Sequence, residues 1–590
     1  MSFCRLVMFG LLAAISGTAF AKCHYSKQEV MIPMRDGVKL YTAVYIPKHA
    51  ANAPIVMMRT PYGCKPYGAE ITNRFNRDDY WKEYATRSYI IVFQDVRGRY
   101  NSEGEFVHLN PQEKEDTYDT VEWLTKNISQ CNGNVGVVGN SYCGFYAFMA
   151  GCAGHPSIRI VSPQAPVTDW WQGDDMHHNG AFCPTDGGFL DYMQYGEDEN
   201  PEVEIQTPYV SQYDEYLAYG TIANITKHLN EKRPNDFWNE MINHPDYDEW
   251  WQMRDARCYV KDLTAPVVLI TGGTFDGEDY YGTIKLYEAI KTQRPDIDCR
   301  RVIGPWTHGG WRKYERTLGA WRFAWLTSPA KTYMRKIEIP LMEACLQTDK
   351  PNQAVSATEH FFITGSNRWT TDSLRQPSLQ LFMHADGTLS AFPPKEGSTT
   401  YVSDPMNPVP VNEAHDSGKD YMYADQTFLQ GRNDVVSFQT PPLSSDKTLR
   451  GSAVVHFSVS LTTEDADFFV KIIDVMPDGK QFMVRSEMLR GKYRKSENQN
   501  GRESACMFGT GCPFSTAEPN EFDVKLLPFN HCFRRGHRIM IQIQSSAFPL
   551  FDRNPQTFTD IYHCDESAFV KSTITLHHNT DNACYVLLSQ

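Results

Sequence analysis

The stretch that most restricts the fold is Gly139-Asn140-Ser141-Tyr142-Cys143-Gly144. Before it, Val135-Gly136-Val137-Val138 is short, apolar and mostly β-branched, as a buried strand is. After it, Phe145 to Cys152 is small and apolar enough to start a helix packed on a sheet. A serine at such a strand-to-helix turn has its hydroxyl held clear of the backbone, as in a nucleophile elbow. The spacing is Gly-x-Ser-x-x-Gly, one residue off the usual Gly-x-Ser-x-Gly, so the motif alone also fits a plain Gly/Ser-rich turn.

The flanking chain favours a sheet. Val30 to Pro47 reads as a hairpin turning at Asp36-Gly37, and Ala53 to Thr60 and Tyr89 to Gln94 as apolar strands. Asp116 to Ile128 is a helix with Val121, Leu124 and Ile128 on one face, and Ile158 to Val167 is another strand. This alternation predicts a mostly parallel sheet covered on both sides. Between Asp169 and Asp262 it stops: the sequence is rich in Trp, Tyr and acidic residues, which reads as an inserted helical cap. Ala265 to Thr271 resumes the sheet, Tyr280 to Ile290 is a helix, Arg300 to Ile303 is the last strand, and a helical stretch from Leu318 to about Leu346 closes the unit. The sheet domain is thus expected over 22–168 and 263–350, with the cap at 169–262. From about Val355 to Gln590 the pattern turns to β, with Val455, Phe457, Val459 and Leu461, then Ile539, Ile541 and Ile543, alternating with mostly polar residues. A sandwich or jelly roll is expected there.

Met1 to Ala21 has the pattern of a cleaved signal peptide: Arg5, an apolar run from Leu6 to Ile15, and the site Ala19-Phe20-Ala21. That predicts an exported chain, periplasmic or secreted. Fourteen of the fifteen cysteines would remain after cleavage, so disulfides are compatible with the compartment. Cys506 and Cys512 are near enough to close a small loop, and the pairing stays open. A formal charge of −14 argues against nucleic acid and against an anionic membrane surface as partners.

A serine hydroxyl needs a base to take its proton, commonly an oriented histidine. In a parallel sheet carrying such an elbow, the acid and the histidine follow the serine on loops after later strands. Asp276 follows the strand ending at Thr271, and His308 follows the next one in Gly304-Pro305-Trp306-Thr307-His308-Gly309. Together with Gly-x-Ser-Tyr-x-Gly and Phe275-Asp276-Gly277, this set resembles the family of cocaine esterase and the X-Pro dipeptidyl peptidases. Within that family it resembles the α-amino-acid ester hydrolases, which also cleave and make β-lactam side-chain amides. The likeness runs from about Val30 to the C-terminus and includes Pro33-Met34-Arg35-Asp36-Gly37, Tyr401-Val402-Ser403-Asp404-Pro405 and Phe548-Pro549-Leu550-Phe551-Asp552-Arg553.

The resemblance implies an α/β-hydrolase sheet with an inserted helical cap and a C-terminal β jelly-roll domain. It makes Ser141 the nucleophile, His308 the general base and acid, and Asp276 its orienting carboxylate. The oxyanion hole would be the backbone N–H of Tyr142 and the phenol of Tyr62. Asp175, Glu278 and Asp279 match the carboxylates that hold a substrate ammonium in relatives acting on α-amino acyl groups. Asp174 is expected to shape the cap loop, and Cys143 to be a packing residue. His177 and His178 are not expected to bind a metal, because the serine mechanism needs neither metal nor cofactor. The substrate implied is a small α-amino ester, amide or short peptide; a homo-oligomer is implied by resemblance alone. An X-Pro dipeptidyl peptidase and a glutaryl-type acylase are the alternatives within the family. The alternative outside catalysis is a glycan-binding protein on the same scaffold.

Overall fold

Six parallel strands carry the centre of a ten-stranded sheet: β3 (Ala53–Thr60), β4 (Ile90–Asp95), β5 (Cys131–Ser141), β6 (Ile158–Pro166), β7 (Val267–Gly273) and β8 (Asp298–Gly304). They stand in the order β4-β3-β5-β6-β7-β8 in a computed structural model that describes residues 25–72, 74–195, 209–323, 326–348, 355–416, 419–494 and 510–590. The hairpin of β1 (Tyr25–Pro33) and β2 (Lys39–Pro47) pairs antiparallel onto β4. Strands β3, β4 and β7 are buried along their whole length, which is why they read as unbroken apolar runs. Side chains alternate between two cores: on β3, Ile55 and Met57 face one, while Val56 and Met58 face the other.

Helices cover both faces. α1 (Asp79–Ala85) was not legible as a helix; it starts because the Asp78 side chain accepts from the N–H groups of Tyr80 and Trp81. α2 (Glu113–Asn127) and α3 (Tyr142–Gly151) follow β4 and β5. The cap is helical, with α4 (Gly187–Tyr195), α5 (Gln212–Tyr219), α6 (Ile222–Lys232), α7 (Asp236–Met241) and α8 (Glu249–Gln252), beside a small hairpin of His177–His178 against Ala181–Phe182. α9 (Tyr280–Gln293) returns to the sheet.

Two expectations need correction. The sheet does not end at β8: β9 (Glu359–Ile363) pairs parallel to β8, and β10 (Arg368–Thr370) antiparallel to β9. Residues expected to open the C-terminal domain instead extend the first sheet, so that β8 is not left as an exposed edge. The stretch from Leu318 is not helical at its start. Thr317–Leu318 pairs with Trp321–Arg322, and helix begins only at Pro329, behind the Ser328 cap. No disulfide joins two of the described cysteines: Cys64, Cys131, Cys143, Cys152, Cys299, Cys512, Cys532, Cys564 and Cys584 keep free thiols. Cys23 and Cys506 lie outside the described residues, as does Met1 to Ala21, the stretch read as a signal peptide.

Beyond Leu379 two antiparallel sheets pack into a sandwich around Val455, Phe457, Phe468, Ile541 and Ile574. One is centred on Lys447–Leu461, which pairs with Asn520–Phe533, Ser572–His577 and Tyr585–Leu588. The other runs Val436–Gln439, Arg538–Gln544, Asp467–Val475, Gln481–Arg490. Along Ile539 to Gln544 even the polar side of the alternation is covered: Gln542 and Gln544 are buried. That sheet is covered on its second side: Lys471 Nζ donates to Gln542 Oε1, and Phe469, Phe482 and Met483 pack on Phe275, Trp321 and Phe323. No described helix is long and apolar enough to cross a membrane.

Candidate active site

Ser141 closes β5 and caps α3 with φ 79° and ψ −122°. A non-glycine residue holds such a conformation only when its surroundings enforce it. They do so on both sides. A Cβ at Gly139 would lie 2.0 Å from the Cys143 carbonyl oxygen, and one at Gly144 2.8 Å from Pro166 Cα. Both glycines are therefore demanded by close backbone approach. At the first position of α3, the Tyr142 N–H is one of the amides a helix leaves without an internal acceptor. The Tyr142 phenol is turned away into the core, where it accepts from Leu109 N–H at 2.8 Å and meets His108 Nδ1 at 3.2 Å.

Asp276 and His308 come together because their loops are laced side by side beyond the ends of β7 and β8. Thr274 N–H donates to the Gly304 carbonyl at 2.8 Å and Phe275 N–H to the Trp306 carbonyl at 2.9 Å. His308 Nδ1 then lies 3.1 Å from Asp276 Oδ2. Burial works against the Asp276 charge, but His308 and the N–H groups of Glu278 and Asp279 outweigh it, holding this carboxyl below its ordinary range. An imidazole fixed at Nδ1 in this way has Nε2 left to move a proton.

Ser141 Oγ donates not to His308 but to Asp279 Oδ2, at 3.1 Å. Sequence reasoning placed Asp279 only among the charge-binding residues and gave no sign of this contact. Asp279 is fully buried, and its other oxygen, Oδ1, has no hydrogen-bond partner among the described residues. Burial, then the neighbouring charges of Asp175, Asp174 and Asp276, push its carboxyl well above the ordinary range. Asp175 accepts from Trp170 Nε1 at 3.0 Å, and Glu278 Oε2 lies 4.0 Å from His308 Nε2.

A cavity of about 450 Å³ opens onto Ser141, bounded by Tyr62, Tyr142, Cys143, Asp175, Glu278 and His308. Tyr62 stacks on Tyr192 of α4; burial, with Cys143 and Asp175 nearby, pushes its phenol up, so it stays a neutral donor. Burial raises the Cys143 thiol to about 11, which leaves it a packing group. Asp174 is structural: its two oxygens accept from the N–H groups of Thr168, Asp169 and Gly282, joining the root of the cap to the start of α9. His177 has Nδ1 at the Trp170 carbonyl and Nε2 at Tyr562 Oη, and burial lowers it to about 3. His178 Nδ1 lies 3.8 Å from Glu487. The sequence reading missed Asn140, Arg74, Arg312, Asp186, Phe189 and Tyr192, all of which line the same cavity. Asn140, inside the elbow motif itself, was the one with a local signal.

A sheet in this order, with a strained serine after β5 and a carboxylate–histidine pair after β7 and β8, defines a serine hydrolase of the α/β-hydrolase architecture. Residues 36–310 match the X-Pro dipeptidyl-peptidase (S15 family) profile, and 354–587 match the X-Pro dipeptidyl-peptidase C-terminal non-catalytic domain. The chain belongs to the family of cocaine esterase and the X-Pro dipeptidyl peptidases. It is 26% identical to the cocaine esterase of Rhodococcus sp. (strain MB1 Bresler), over 95% of this chain and 97% of that one. The crystal structure of an α-amino acid ester hydrolase superposes with TM-score 0.87 at 31% identity, covering 98% of this chain and 100% of the other. An aminopeptidase from a marine sediment Thaumarchaeota archaeon gives TM-score 0.86 at 32% identity, covering 98% and 99%.

Proposed function

We propose that this protein is an exported hydrolase and acyltransferase that attacks the ester or amide carbonyl of small α-amino acyl substrates. The observation that carries the reading is Asp279: a buried carboxylate beside Ser141 Oγ, with one oxygen unpartnered among the described residues and two more carboxylates, Asp175 and Glu278, at the cavity wall. A substrate ammonium supplies the missing donors and offsets the crowding of like charge. Because Asp279 reaches the nucleophile itself, the favoured cation is on the carbon next to the attacked carbonyl. An X-Pro dipeptide places its ammonium one residue farther away, and a glutaryl carboxylate would be repelled.

In this reading Ser141 attacks the carbonyl carbon while His308 Nε2 takes the hydroxyl proton. The serine must first turn from Asp279 towards His308, and an ammonium seated on Asp279 competes for the oxygen that holds it. The oxyanion is met by the Tyr142 N–H and the Tyr62 phenol. His308 then returns the proton to the departing alcohol or amine, leaving an acyl-enzyme on Ser141. Water, or a second amine, takes the acyl group. β-Lactam amides with an α-amino acyl side chain fall within this class.

The test compares phenylglycine methyl ester with its des-amino counterpart, phenylacetate methyl ester, near neutral pH. A preference of about 1.4 kcal/mol or more, tenfold in kcat/KM, is expected for the amino ester, shrinking in Asp175→Asn and Glu278→Gln. Equal rates on both esters would remove the ammonium site from this account and leave a general esterase.

A further inference from the structure

We propose that Arg312 is a carboxylate receptor for the leaving group, so that the preferred substrates are α-amino acyl amides whose departing amine bears a free carboxylate, as in a short peptide. This rests on the reading above and extends it to the other side of the scissile bond. The cavity that holds the acidic groups is also lined by two guanidinium groups, Arg74 and Arg312. Arg74 lies against the sheet side chain Phe93, its guanidinium 3.8 Å from the ring centre, with Nη1 on the Cys64 carbonyl at 3.1 Å.

Arg312 is held differently. Nη1 donates to Asn140 Oδ1 at 3.1 Å and Nη2 to Asp78 Oδ2 at 3.2 Å, with the guanidinium 5.2 Å from the centre of the Tyr80 ring. The other Asp78 oxygen is already engaged in capping α1, so this residue is fixed by the backbone and in turn fixes the arginine. A guanidinium has five N–H donors in a rigid fork, and these two bonds do not use it up. With 26% of its side chain exposed, it is oriented yet reachable. Such a fork suits a carboxylate in two-point contact.

Its position selects the leaving group rather than the acyl group. Asn140, which Arg312 grips, has Nδ2 3.5 Å from His308 Nε2, the nitrogen that hands its proton to the departing amine. Glu278 Oε2 lies 4.0 Å from the same nitrogen. The imidazole thus has an anion close by and, one amide away, a cation. A substrate with an ammonium on its acyl side and a carboxylate on its amine side matches that polarity.

The experiment uses four amides on the full-length protein: phenylglycyl-glycine, phenylglycyl-glycinamide, phenylacetyl-glycine and phenylacetyl-glycinamide. Within the amino pair, wild type should prefer the free acid over the amide by about tenfold in kcat/KM, mostly through KM. In Arg312→Gln that ratio should fall to near one, and Arg312→Lys should keep part of it. Because each ratio is taken within one variant, a general loss of activity does not imitate the effect. Where turnover is too slow, the same four compounds are ranked as competitive inhibitors of phenylglycine methyl ester hydrolysis. A wild-type ratio of one, or a ratio that survives Arg312→Gln, overturns the proposal. Failure of the ammonium reading shows separately, as equality between amino and des-amino compounds.

Discussion

The turn that carries Ser141 is built mostly from one run of chain, whereas the loop that carries Asp276 to Asp279 is gripped by three distant segments. Around Ser141 the enforcing contacts are largely local: Gly139 against Cys143, and α3 continuing straight on from β5. Around Asp276 they come from elsewhere. The histidine loop laces onto Thr274 and Phe275, the cap residue Asp174 accepts from Gly282 N–H, and Arg485 of the sandwich donates to the Thr274 carbonyl at 2.6 Å. Arg485 also lies 4.0 Å from the centre of the Tyr280 ring, and Tyr421 crowds Gly277. A nucleophile needs one strained turn, which a short motif can encode. An acid whose carboxyl must stay ionised while its neighbour's is pushed up needs an environment, which only tertiary packing supplies.

The sharpest break in the comparison is Ser141→Ala. Loss of the nucleophile should lower kcat by about 10⁶-fold, abolish labelling by a fluorophosphonate and leave the melting temperature close to wild type. Persistent labelling would place the reactive serine elsewhere. Asp276→Asn attacks the other half. The amide can still accept from the Glu278 and Asp279 N–H groups, so the loop should hold while kcat falls by about 10⁴-fold. A loss of less than about tenfold would mean that another group orients His308.

Arg485→Met tests whether the sandwich reaches into the chemistry. Slackening the Thr274 clamp should cost about 10²-fold in kcat with KM little changed, with Arg485→Lys restoring part. A fall in stability with normal turnover of the folded fraction would confine Arg485 to packing. The smallest effect is thermodynamic. Asp279 holds its proton more tightly folded than unfolded, so folding loses stability as pH rises from the ordinary carboxylate range through the raised value. Asp279→Asn removes that loss. The variant should melt above wild type at neutral pH, and the gain should vanish below about pH 4. Parallel melting curves across this range would show that Asp279 carries no such penalty.

The same contrast explains what could be read in the sequence. The parallel strands announce themselves because burial on both faces demands apolar runs, and the elbow because close backbone approach demands glycine. Chain order then brings Asp276 and His308 into view. Strands β9 and β10 were not assigned to this sheet, since Glu359–Ile363 has nothing in its own residues to say which edge it will cover. The partners of the polar side of Arg538–Gln544 are equally out of local view: Gln542 meets Lys471 of the next strand, which in turn donates to Gln426. Arg312 gave no signal, because its value depends on Asp78 and Asn140, each more than a hundred residues away.

Phe189 and Tyr192 reach the cavity from α4, a nine-residue helix of the cap inserted between β6 and β7. The catalytic residues and these two aromatic cavity walls are therefore written on separate stretches of the gene. Mutation can explore the second without erasing the first. For directed evolution of substrate preference, a library confined to Gly187–Tyr195 is the economical place to begin.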